Sequence, residues 1–460
     1  MATVLFVAFF LLALARSRSL QAGADLGAFA QGAWLIRTGR AADLTLTGNH
    51  VLAAQLPLAF YPLAQLTRLL PTIPTLLGAQ AAALAVGVVP LWRIARRLAD
   101  LRVGASTALV VAYAVSPAVN NLNLADFHPA ALALPALIAA VYYGVSARWL
   151  PFGLVGGFAV LCRADLGLAV AALGVMLALS GKRREGLITA VAATAWVIVA
   201  TLLIQPAFGD SGLITPGAFT DYGGSFFGVA GSMLSHPYRV VGDLLARENL
   251  DVIIILLAPL LFLPMLAPRY LLPAVPLECL YLVAQVPHGG RAGAQFTVAI
   301  TAFLFTAAAF ALSRIGRRSI ERVLVDRRIL VALVLGSIAF FARYATDSPY
   351  SRPWAWGRQD AADEARVEAA DLVGDRRSVR ASPTLLPLVA ERTRVFELQP
   401  DVEPNGRTAG RGVDAIVLDA ETLPDWSDGG EEAFTTSLRE QGFVLIYKAQ
   451  GITVYRRPFA

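Results

Sequence analysis

Apolar runs long enough to cross a lipid bilayer recur through the first three quarters of this 460-residue chain. A spanning helix needs about 20 mostly apolar residues, because the hydrocarbon core of a bilayer is about 30 Å thick. Eleven runs are predicted to span, and several are short enough to indicate tilted or kinked helices. They lie at 2–15, 74–92, 103–119, 129–146, 149–162, 166–180, 187–206, 251–267, 270–287, 295–313 and 329–343. This pattern predicts a polytopic α-helical membrane protein.

The composition excludes a set of soluble domains. Hydrophobic residues make up 56% of the chain and charged residues only 16%, with a mean hydropathy of +0.59. Soluble globular proteins carry about 25% charged residues. A chain of this length built from soluble domains would therefore lack the polar groups that its surface needs.

The charge changes sign along the chain. Residues 1–343 hold 25 Lys and Arg against 14 Asp and Glu, whereas 344–460 hold 14 against 19. We therefore predict a basic transmembrane domain over 1–343 and an acidic soluble domain over 344–460. Because the overall excess of +6 is confined to the membrane part, it is no indication of nucleic-acid binding.

Arginine placement predicts the orientation. With a cytoplasmic N-terminus, 15 of the 25 basic residues lie inside against four acids, while the outer segments are nearly balanced. This predicts a multi-pass protein of the plasma (inner) membrane, with outer loops at 16–53 and 207–250 and an extracytoplasmic C-terminal domain. The first run lacks the basic residues that precede a signal peptide, so we interpret it as an anchor. All four histidines fall on the outer side: His50, His128, His236 and His288.

The acidic C-terminal part alternates helical and strand patterns. Helices are predicted at 360–373, 383–391 and 430–441, and strands at 378–382, 394–398, 414–419, 443–448 and 452–457. This is the pattern of a small α/β domain. It contains no GxGxxG and no GxxxxGK[ST], so no nucleotide-binding fingerprint is present.

Asp25 lies in the first predicted outer loop, just beyond the first apolar run, and a short amphipathic helix follows it. A carboxylate there is placed to act as a general base at the membrane surface. Asp is also a favoured N-cap, so Asp25 has the alternative role of capping that helix. Gly48-Asn49-His50 belongs to the same loop.

Two further polar groups interrupt apolar sequence. Asp126 and His128 precede Pro129, so they lie near a helix N-terminus that suits anion binding, or His128 simply begins that helix. Arg163 and Asp165 separate two short apolar runs. Charges at membrane depth are costly unless they are paired, which makes this pair a candidate site, and a hairpin tip among the headgroups is the alternative.

The remaining candidates are less specific. The segment Asp221–Ser225 offers flexible backbone amides, although glycines in a loop more often form a turn. His288 and Arg291 suit a phosphate or a lipid headgroup equally well. Cys162 and Cys279 lie in apolar runs and are interpreted as packing residues. The chain has no HExxH, no GxSxG and no Cys/His metal spacing, which gives protease, hydrolase and zinc-site readings little support.

A series of short motifs carries a resemblance to a known family. They are Asp25-Leu-Gly-x-Phe-x-Gln31, Asn49-His50, Ser116-Pro117, Asp126-Phe-His-Pro129, Asp165-x-Gly-Leu168, Ser378-Val-x-Ala-Ser382, Leu388-x-x-x-Arg392, Asp414-x-Ile-Val-Leu-Asp419 and Gly442-Phe443. In this order they resemble the bacterial membrane proteins of domain-of-unknown-function family 2079, over nearly the whole chain. That family is similar to the GT-C class of integral-membrane glycosyltransferases.

The resemblance implies an activity and a set of roles. GT-C enzymes take sugar from a polyprenyl-phosphate donor outside the cytoplasm, and an acid in the first outer loop, here Asp25, acts as base. Basic residues on the outer face hold the lipid phosphate, which points to Arg163, His128 and Arg291. The other expected substrate-binding residues are Asn49, His50, Asp126, Asp165 and His288. The implied partners are the lipid donor, the bilayer and a lipid, glycan or protein acceptor, without nucleic acid.

The resemblance has one departure. Where relatives often show Lys-Glu-Asp-x-Gly, this chain has Arg163-Ala164-Asp165-Leu166-Gly167 and lacks the middle carboxylate. If that glutamate binds a metal or an acceptor hydroxyl, the function has changed here. The outward carboxylates are compatible with a divalent metal, although no metal is assigned.

Two other functions compete with glycosyl transfer. A transporter or flippase of a lipid-linked or small polar solute would carry charges through the middle of the membrane and an internal helix repeat. No repeat is visible, and the polar groups gather on one predicted side. A membrane-anchored scaffold or sensor would make Asp25 and Asp126 dispensable.

Overall fold

The computed structural model describes residues 1–20, 23–209, 219, 222–223, 226–284, 293–319, 322–346, 348, 357–374, 377–398, 410–423 and 430–458. The chain divides into two compact units. The first unit comprises Met1–Leu11, Leu52–Phe60 and Gly78–Trp354. The second unit comprises Leu12–Val51, Tyr61–Leu77 and Ala355–Ala460, so it combines the first predicted outer loop with the C-terminal part of the chain.

The described residues are mostly helical. The α-helices are α1 Ala2–Arg18, α2 Ala24–Arg37, α3 Val51–Ala54, α4 Phe60–Leu66, α5 Thr72–Val86, α6 Val88–Arg93, α7 Val103–Ala114, α8 Pro117–Leu124, α9 Ala133–Val145, α10 Trp149–Cys162, α11 Leu166–Leu179, α12 Arg183–Val199, α13 Gln205–Phe208, α14 Phe226–Ser235, α15 Pro237–Leu244, α16 Arg247–Leu257, α17 Val275–Val283, α18 Val298–Ile315, α19 Arg327–Tyr344, α20 Ala361–Val373, α21 Leu386–Val389 and α22 Gly430–Glu440. The strands are β1 Asp43–Leu44, β2 Asn49–His50, β3 Arg317–Ser319, β4 Arg322–Leu324, β5 Val379–Ala381, β6 Val395–Glu397, β7 Ala415–Asp419, β8 Val444–Ala449 and β9 Ile452–Arg456.

Three described helices are long and apolar enough to cross a membrane: Thr72–Leu98, Arg183–Phe208 and Ala294–Ile315. The pair α7 and α8, bent by 40°, makes a fourth if it is counted as one broken span. Shorter apolar helices lie at Pro129–Val145, Trp149–Cys162 and Leu166–Leu179. The structure thus contains apolar spanning helices, and the number eleven stays a prediction.

The predicted spans at 251–267 and 270–287 are not continuous helices. Helix α16 ends at Leu257, short 3₁₀ turns follow, and α17 begins only at Val275. Leu261 and Phe262 take left-handed backbone conformations with φ of 52° and 55°. The segment carries Pro259, Pro264, Pro268, Pro273 and Pro276. Each proline removes a helical N–H donor and clashes with the preceding turn, so hydropathy alone predicts helices that these prolines interrupt.

Glycines bring α11 and α12 together in the first unit. A Cβ on Gly174 would lie 2.6 Å from the Ala190 backbone nitrogen, and one on Gly186 would lie 2.5 Å from that of Ala178. Only glycine permits such a close backbone approach. Small residues at helix crossings are typical of membrane bundles, where close packing replaces the hydrophobic drive.

The second unit contains a five-stranded sheet in the order β6-β5-β7-β9-β8. Strand β5 pairs in parallel with β6 and β7, and β9 pairs antiparallel with β7 and β8. Asp360 is the N-cap of helix α20, and its side chain accepts from the Asp363 backbone N–H. Buried residues of α20, α21 and the central strands form one apolar core on a face of the sheet. The predicted α/β elements of the C-terminal part are therefore confirmed to within a few residues.

Candidate functional site

Asp25 is exposed in the first turn of α2. The N-cap of this helix is Gly23, which has no side chain. The alternative that Asp25 serves as the N-cap is therefore wrong. A carboxylate in the first turn faces the positive end of the helix dipole, which favours its ionised form.

Glu397 supplies a second carboxylate near Asp25. It is the last residue of β6 and is half-buried. Burial raises the pKa of Glu397, and the negative charge of Asp25 raises it further. The two acids thus occupy different environments. Glu397 is not recognisable from the sequence, because nothing in the sequence indicates that β6 lies beside the first loop.

Gln31 holds α2 against this edge of the sheet. Its side chain is fully buried and donates to Thr45 Oγ1 at 2.8 Å and to the Thr393 carbonyl at 3.3 Å. Thr45 in turn donates to the Val395 carbonyl at 2.6 Å and accepts from the Val395 N–H at 2.9 Å. A buried amide that bonds both segments fixes their relative position within the second unit. Gln31 therefore positions the helix that carries Asp25.

Gly27 allows α2 to approach α21 closely. A Cβ at this position would lie 3.1 Å from Leu386 Cβ. Any larger residue would push Leu386 away. The glycine two residues after Asp25 therefore has a packing role, which explains that part of the motif.

His50 and Asn49 form a small hairpin in the same unit. Asp43 pairs with His50 across β1 and β2. Burial lowers the pKa of His50 and the nearby Asp43 carboxylate opposes that shift. Asn49 Nδ2 donates to the Thr47 carbonyl at 3.2 Å, which is a local turn contact. The pKa of Tyr61 is raised by burial and by Asp43, so this hairpin places an acid, a histidine and a phenol near one another.

Asp126 and His128 belong to the first unit, where Gln80 organises their backbone. The fully buried Gln80 amide donates to the carbonyls of Leu122 at 2.9 Å and Asp126 at 3.4 Å. Its oxygen accepts from the His128 N–H at 2.9 Å. His128 is the N-cap residue of the 3₁₀ turn Pro129–Leu132 and is buried, so its predicted position at a helix start is confirmed.

Arg163 and Asp165 form a buried ion pair in the first unit. They are 3% and 2% exposed and lie at the turn between α10 and α11, so the structure places them at a hairpin tip that is buried within the protein. Arg163 Nε and Nη2 donate to Asp165 Oδ2 at 3.0 and 2.7 Å. Nη2 also donates to the Tyr281 hydroxyl at 2.8 Å, and this hydroxyl donates to Asp165 Oδ2. The cation thus has its counter-charge in place.

Aromatic rings and amides enclose the pair. The guanidinium carbon of Arg163 lies 4.6 Å from the ring centroid of Phe296 and 5.4 Å from that of Tyr281. The Gln55 side chain donates to Gln295 Oε1 at 3.0 Å. The backbone carbonyl of Gln55 accepts from the Ala164 N–H at 3.0 Å. Sequence reasoning missed Tyr281, since a tyrosine within an apolar run has no distinguishing pattern. The Ala164 side chain between the two charged residues is buried as well.

The site residues thus fall into two groups. Asp25, Asn49 and His50 lie in the second unit with Glu397, and Asp126, His128, Arg163 and Asp165 lie in the first. His288 and Arg291 lie outside the described residues, as do Asp221, Gly224 and Ser225. Within the described ranges, no group of three His, Cys, Asp or Glu is placed to hold a metal ion.

Comparison with solved structures identifies the fold. The apo crystal structure of ArnT from Cupriavidus metallidurans aligns with a TM-score of 0.54 and 13% identity, over 98% of this chain and 97% of ArnT. The structure of ArnT bound to undecaprenyl phosphate aligns with a TM-score of 0.49 at 13% identity, with the same coverage of both chains. The structure of the Archaeoglobus fulgidus oligosaccharyltransferase with Zn and sulfate aligns with a TM-score of 0.45 at 12% identity, over 98% of this chain and 73% of that chain. The fold is therefore like that of the GT-C glycosyltransferase ArnT.

No curated protein matches the sequence. A family model, described as predicted membrane protein (DUF2079), matches residues 16–454. This range includes the first-loop helix, the buried ion pair and the C-terminal sheet. The chain therefore belongs to the DUF2079 family of membrane proteins.

Proposed function

We propose that this protein is a membrane glycosyltransferase that transfers a sugar from a polyprenyl-phosphate donor to an acceptor hydroxyl on the extracytoplasmic side. The observation that carries the proposal is the exposed carboxylate of Asp25 at the start of α2, in a chain with an ArnT-like fold. ArnT has also been crystallised with undecaprenyl phosphate. A fold alone does not determine an activity, so the proposal depends on the residues of the site.

Asp25 is the proposed general base. Its carboxylate takes the proton of the acceptor hydroxyl while that oxygen attacks the anomeric carbon of the sugar. The bond from the anomeric carbon to the phosphate oxygen breaks, and polyprenyl phosphate leaves with the electron pair. A base must be ionised before the reaction, which the helix N-terminus favours for Asp25.

Glu397 complements Asp25 in this scheme. Two acids whose environments push their pKa values apart can divide the roles of proton acceptor and proton donor. Burial and the charge of Asp25 both raise the pKa of Glu397. Glu397 is proposed to bind the substrate beside Asp25 while Asp25 accepts the proton.

The leaving phosphate needs positive charge as the bond breaks. Arg163, His128 and Arg291 are the proposed sources. A guanidinium has five N–H donors, and four of those of Arg163 are bonded to Asp165, Tyr281 and the Gln295 carbonyl. Arg163 therefore acts mainly through its fixed field, with one Nη1 hydrogen left for a direct contact. Asn49, His50, Asp126, Asp165 and His288 are proposed to bind the sugar and orient these cations.

The proposed topology follows from the arginine distribution. The N-terminus is cytoplasmic, eleven helices lie within 1–343, and the α/β domain of 344–460 faces outward. The presence of α2 and the sheet in one compact unit supports placing the first loop and the C-terminal domain on the same side. The α/β domain then binds the acceptor or covers the site.

The test is transfer of radiolabelled sugar from polyprenyl-phosphate donors in membranes that contain the full chain. Asp25→Asn is expected to lower the rate by about 10²–10⁴-fold, which is the usual contribution of a general base. Asp371→Asn is the matched control, since Asp371 is also an exposed helical acid of the second unit. A parallel transfer assay with a chelator added tests whether the reaction needs a divalent metal. Transfer that is indifferent to Asp25→Asn, or absent with every donor, would contradict the proposal in favour of transport or scaffolding.

A further inference from the structure

A groove runs along α10 and α12, and none of the residues assigned above lines it. It has a volume of about 400 Å³. Its apolar walls come from α10 and α12, with Val170 of α11 between them. The lining extends from Trp149 to Val160 on α10 and from Glu185 to Trp196 on α12. Each stretch is about 16 Å long at 1.5 Å per residue. This is about half of the roughly 30 Å hydrocarbon core, the depth of one lipid leaflet.

Glycines of α10 keep the groove open. A Cβ on Gly153 or Gly157 would meet nothing within 4 Å. Gly174 and Gly186, by contrast, are required by the tight crossing of α11 and α12. An unpacked glycine destabilises a helix relative to most residues. The open glycines of α10 therefore lack a packing explanation within the first unit, and they leave room for a chain that comes from outside the protein.

Charged residues surround one end of the groove. Arg183 and Arg184, in the first turn of α12, and Arg148, just before α10, are exposed and form no ion pair with a described residue. Lys182 Nζ lies 5.7 Å from the ring centroid of Trp149, a lining residue, and donates to the Gly144 carbonyl at 2.8 Å. Basic pockets at the ends of membrane helices suit phosphate headgroups.

The same end carries one acid. Glu185 lines the groove and is partly buried. A purely anionic headgroup would be repelled by this carboxylate, whereas a headgroup with both phosphate and ammonium finds a partner for each charge. The opposite end is closed by Trp196, whose buried indole N–H lacks a hydrogen-bond partner among the described residues.

We propose that this groove is a binding site for an aminophospholipid, with one acyl chain between α10 and α12, the phosphate at Arg183 and Arg184 and the ammonium at Glu185. The site is distinct from the ion pair of Arg163 and Asp165. That pair lies between α10 and α11, whereas the basic end lies between α11 and α12, at the other end of the helical hairpin. The bound lipid would fill a gap that the protein leaves unpacked.

The experiment uses the full chain, purified in mild detergent and exchanged with dioleoyl phosphatidylethanolamine, phosphatidylglycerol or phosphatidylcholine at equal mole fractions. Native mass spectrometry counts the lipids that stay bound. We expect phosphatidylethanolamine to be retained in preference to the other two. Gly157→Leu should lower this retention about tenfold, the effect of leaving roughly two methylene groups unburied. Glu185→Gln should remove the preference for ethanolamine over choline while a phospholipid stays bound.

Gly104→Leu is the matched control. A Cβ on Gly104 in α7 also meets nothing within 4 Å, but Gly104 does not line the groove. Both substitutions place a better helix former at an open position, so both variants are expected to fold. Equal retention in Gly157→Leu and wild type would overturn the proposal, as would a preference of the wild type for phosphatidylglycerol. A change of oligomeric state in Gly157→Leu with unchanged retention would instead assign the groove to a second copy of the chain.

Discussion

Two charged sites of this protein, one in each unit, are built in opposite ways. In the first unit, Arg163 and Asp165 are almost fully buried and bonded to each other and to Tyr281. In the second unit, Asp25 is exposed and Glu397 is half-buried, and their charges oppose each other. The first arrangement gives every charge a partner. The second leaves carboxylates that still exchange protons with their surroundings.

This difference separates residues that fix the positions of helices from residues that are accessible to a substrate. A buried ion pair recovers its cost of desolvation only when its geometry is good, so it fixes the helices that carry it. Partly exposed acids cost less to ionise and are accessible to a substrate. The comparison predicts that substitutions at Arg163 lower stability as well as activity and that substitutions at Asp25 act mainly on activity.

The largest effect on stability is expected from Arg163→Met. This change leaves the Asp165 carboxylate buried without its cation, which costs about 3–5 kcal/mol in the free energy of unfolding. Thermal unfolding of the full chain in detergent measures it. Arg239→Met is the control, because Arg239 is exposed on α15. A loss below about 1 kcal/mol would show that Arg163 is not the buried anchor of the first unit.

Tyr281→Phe tests the same centre more gently. The change removes a hydroxyl that accepts from Arg163 and donates to Asp165, and we expect a loss of about 1–3 kcal/mol. Tyr238→Phe on the exposed face of α15 should be neutral in the same unfolding assay. If Tyr281→Phe and Tyr238→Phe have the same free energy of unfolding, Tyr281 does not stabilise the pair of Arg163 and Asp165. The contrast between the two sites is then weakened.

A smaller effect is expected at the ion pair of Arg37 and Glu391 in the second unit. The two groups lie 2.5 Å apart with 21% and 44% of their side chains exposed. A double-mutant cycle with Arg37→Gln and Glu391→Gln should give a coupling of about 0.2–1 kcal/mol that falls as salt is added. A coupling energy as large as the loss expected for the buried pair of Arg163 and Asp165, or one that does not change with salt, would contradict this contrast between buried and exposed charges.

The smallest effect is a pH dependence from Glu397. Its folded pKa is raised, so between the ordinary value of 4.5 and the raised value the folded chain holds a proton that the unfolded chain releases. Stability from this group is therefore complete below 4.5 and is lost as pH rises through that window. Glu397→Gln should remove this dependence of the free energy of unfolding on pH, and Asp25→Asn should reduce it. Glu440→Gln, at an exposed position of α22, should leave the pH dependence unchanged. If the pH dependence of stability is unchanged in both Glu397→Gln and Asp25→Asn, the carboxylates of Glu397 and Asp25 do not interact.

Much of the architecture follows from local sequence. The strands and helices of the C-terminal part are predicted because alternation and helical periodicity are properties of short segments. The broken region between α16 and α17 is mispredicted, because hydropathy counts apolar residues and ignores the backbone donors that four prolines remove. Arg163 and Asp165 are recognised from sequence because charges within apolar runs are conspicuous. Tyr281 and Glu397 are missed, because an ordinary residue becomes part of a site only through its neighbours in space.

The sequence by itself determined that this is a membrane protein with a basic apolar part and an acidic α/β part, since composition and periodicity act through the solvent around each segment. It also marked Asp25, His128 and Arg163 by their positions along the chain. Only the tertiary structure decided which groups lie near one another: Asp25 near Glu397, Arg163 beside Tyr281, and Gln31 against the edge of the sheet. These pairings join residues far apart in sequence. Their energies depend on distance and burial, which exist only once the chain has folded.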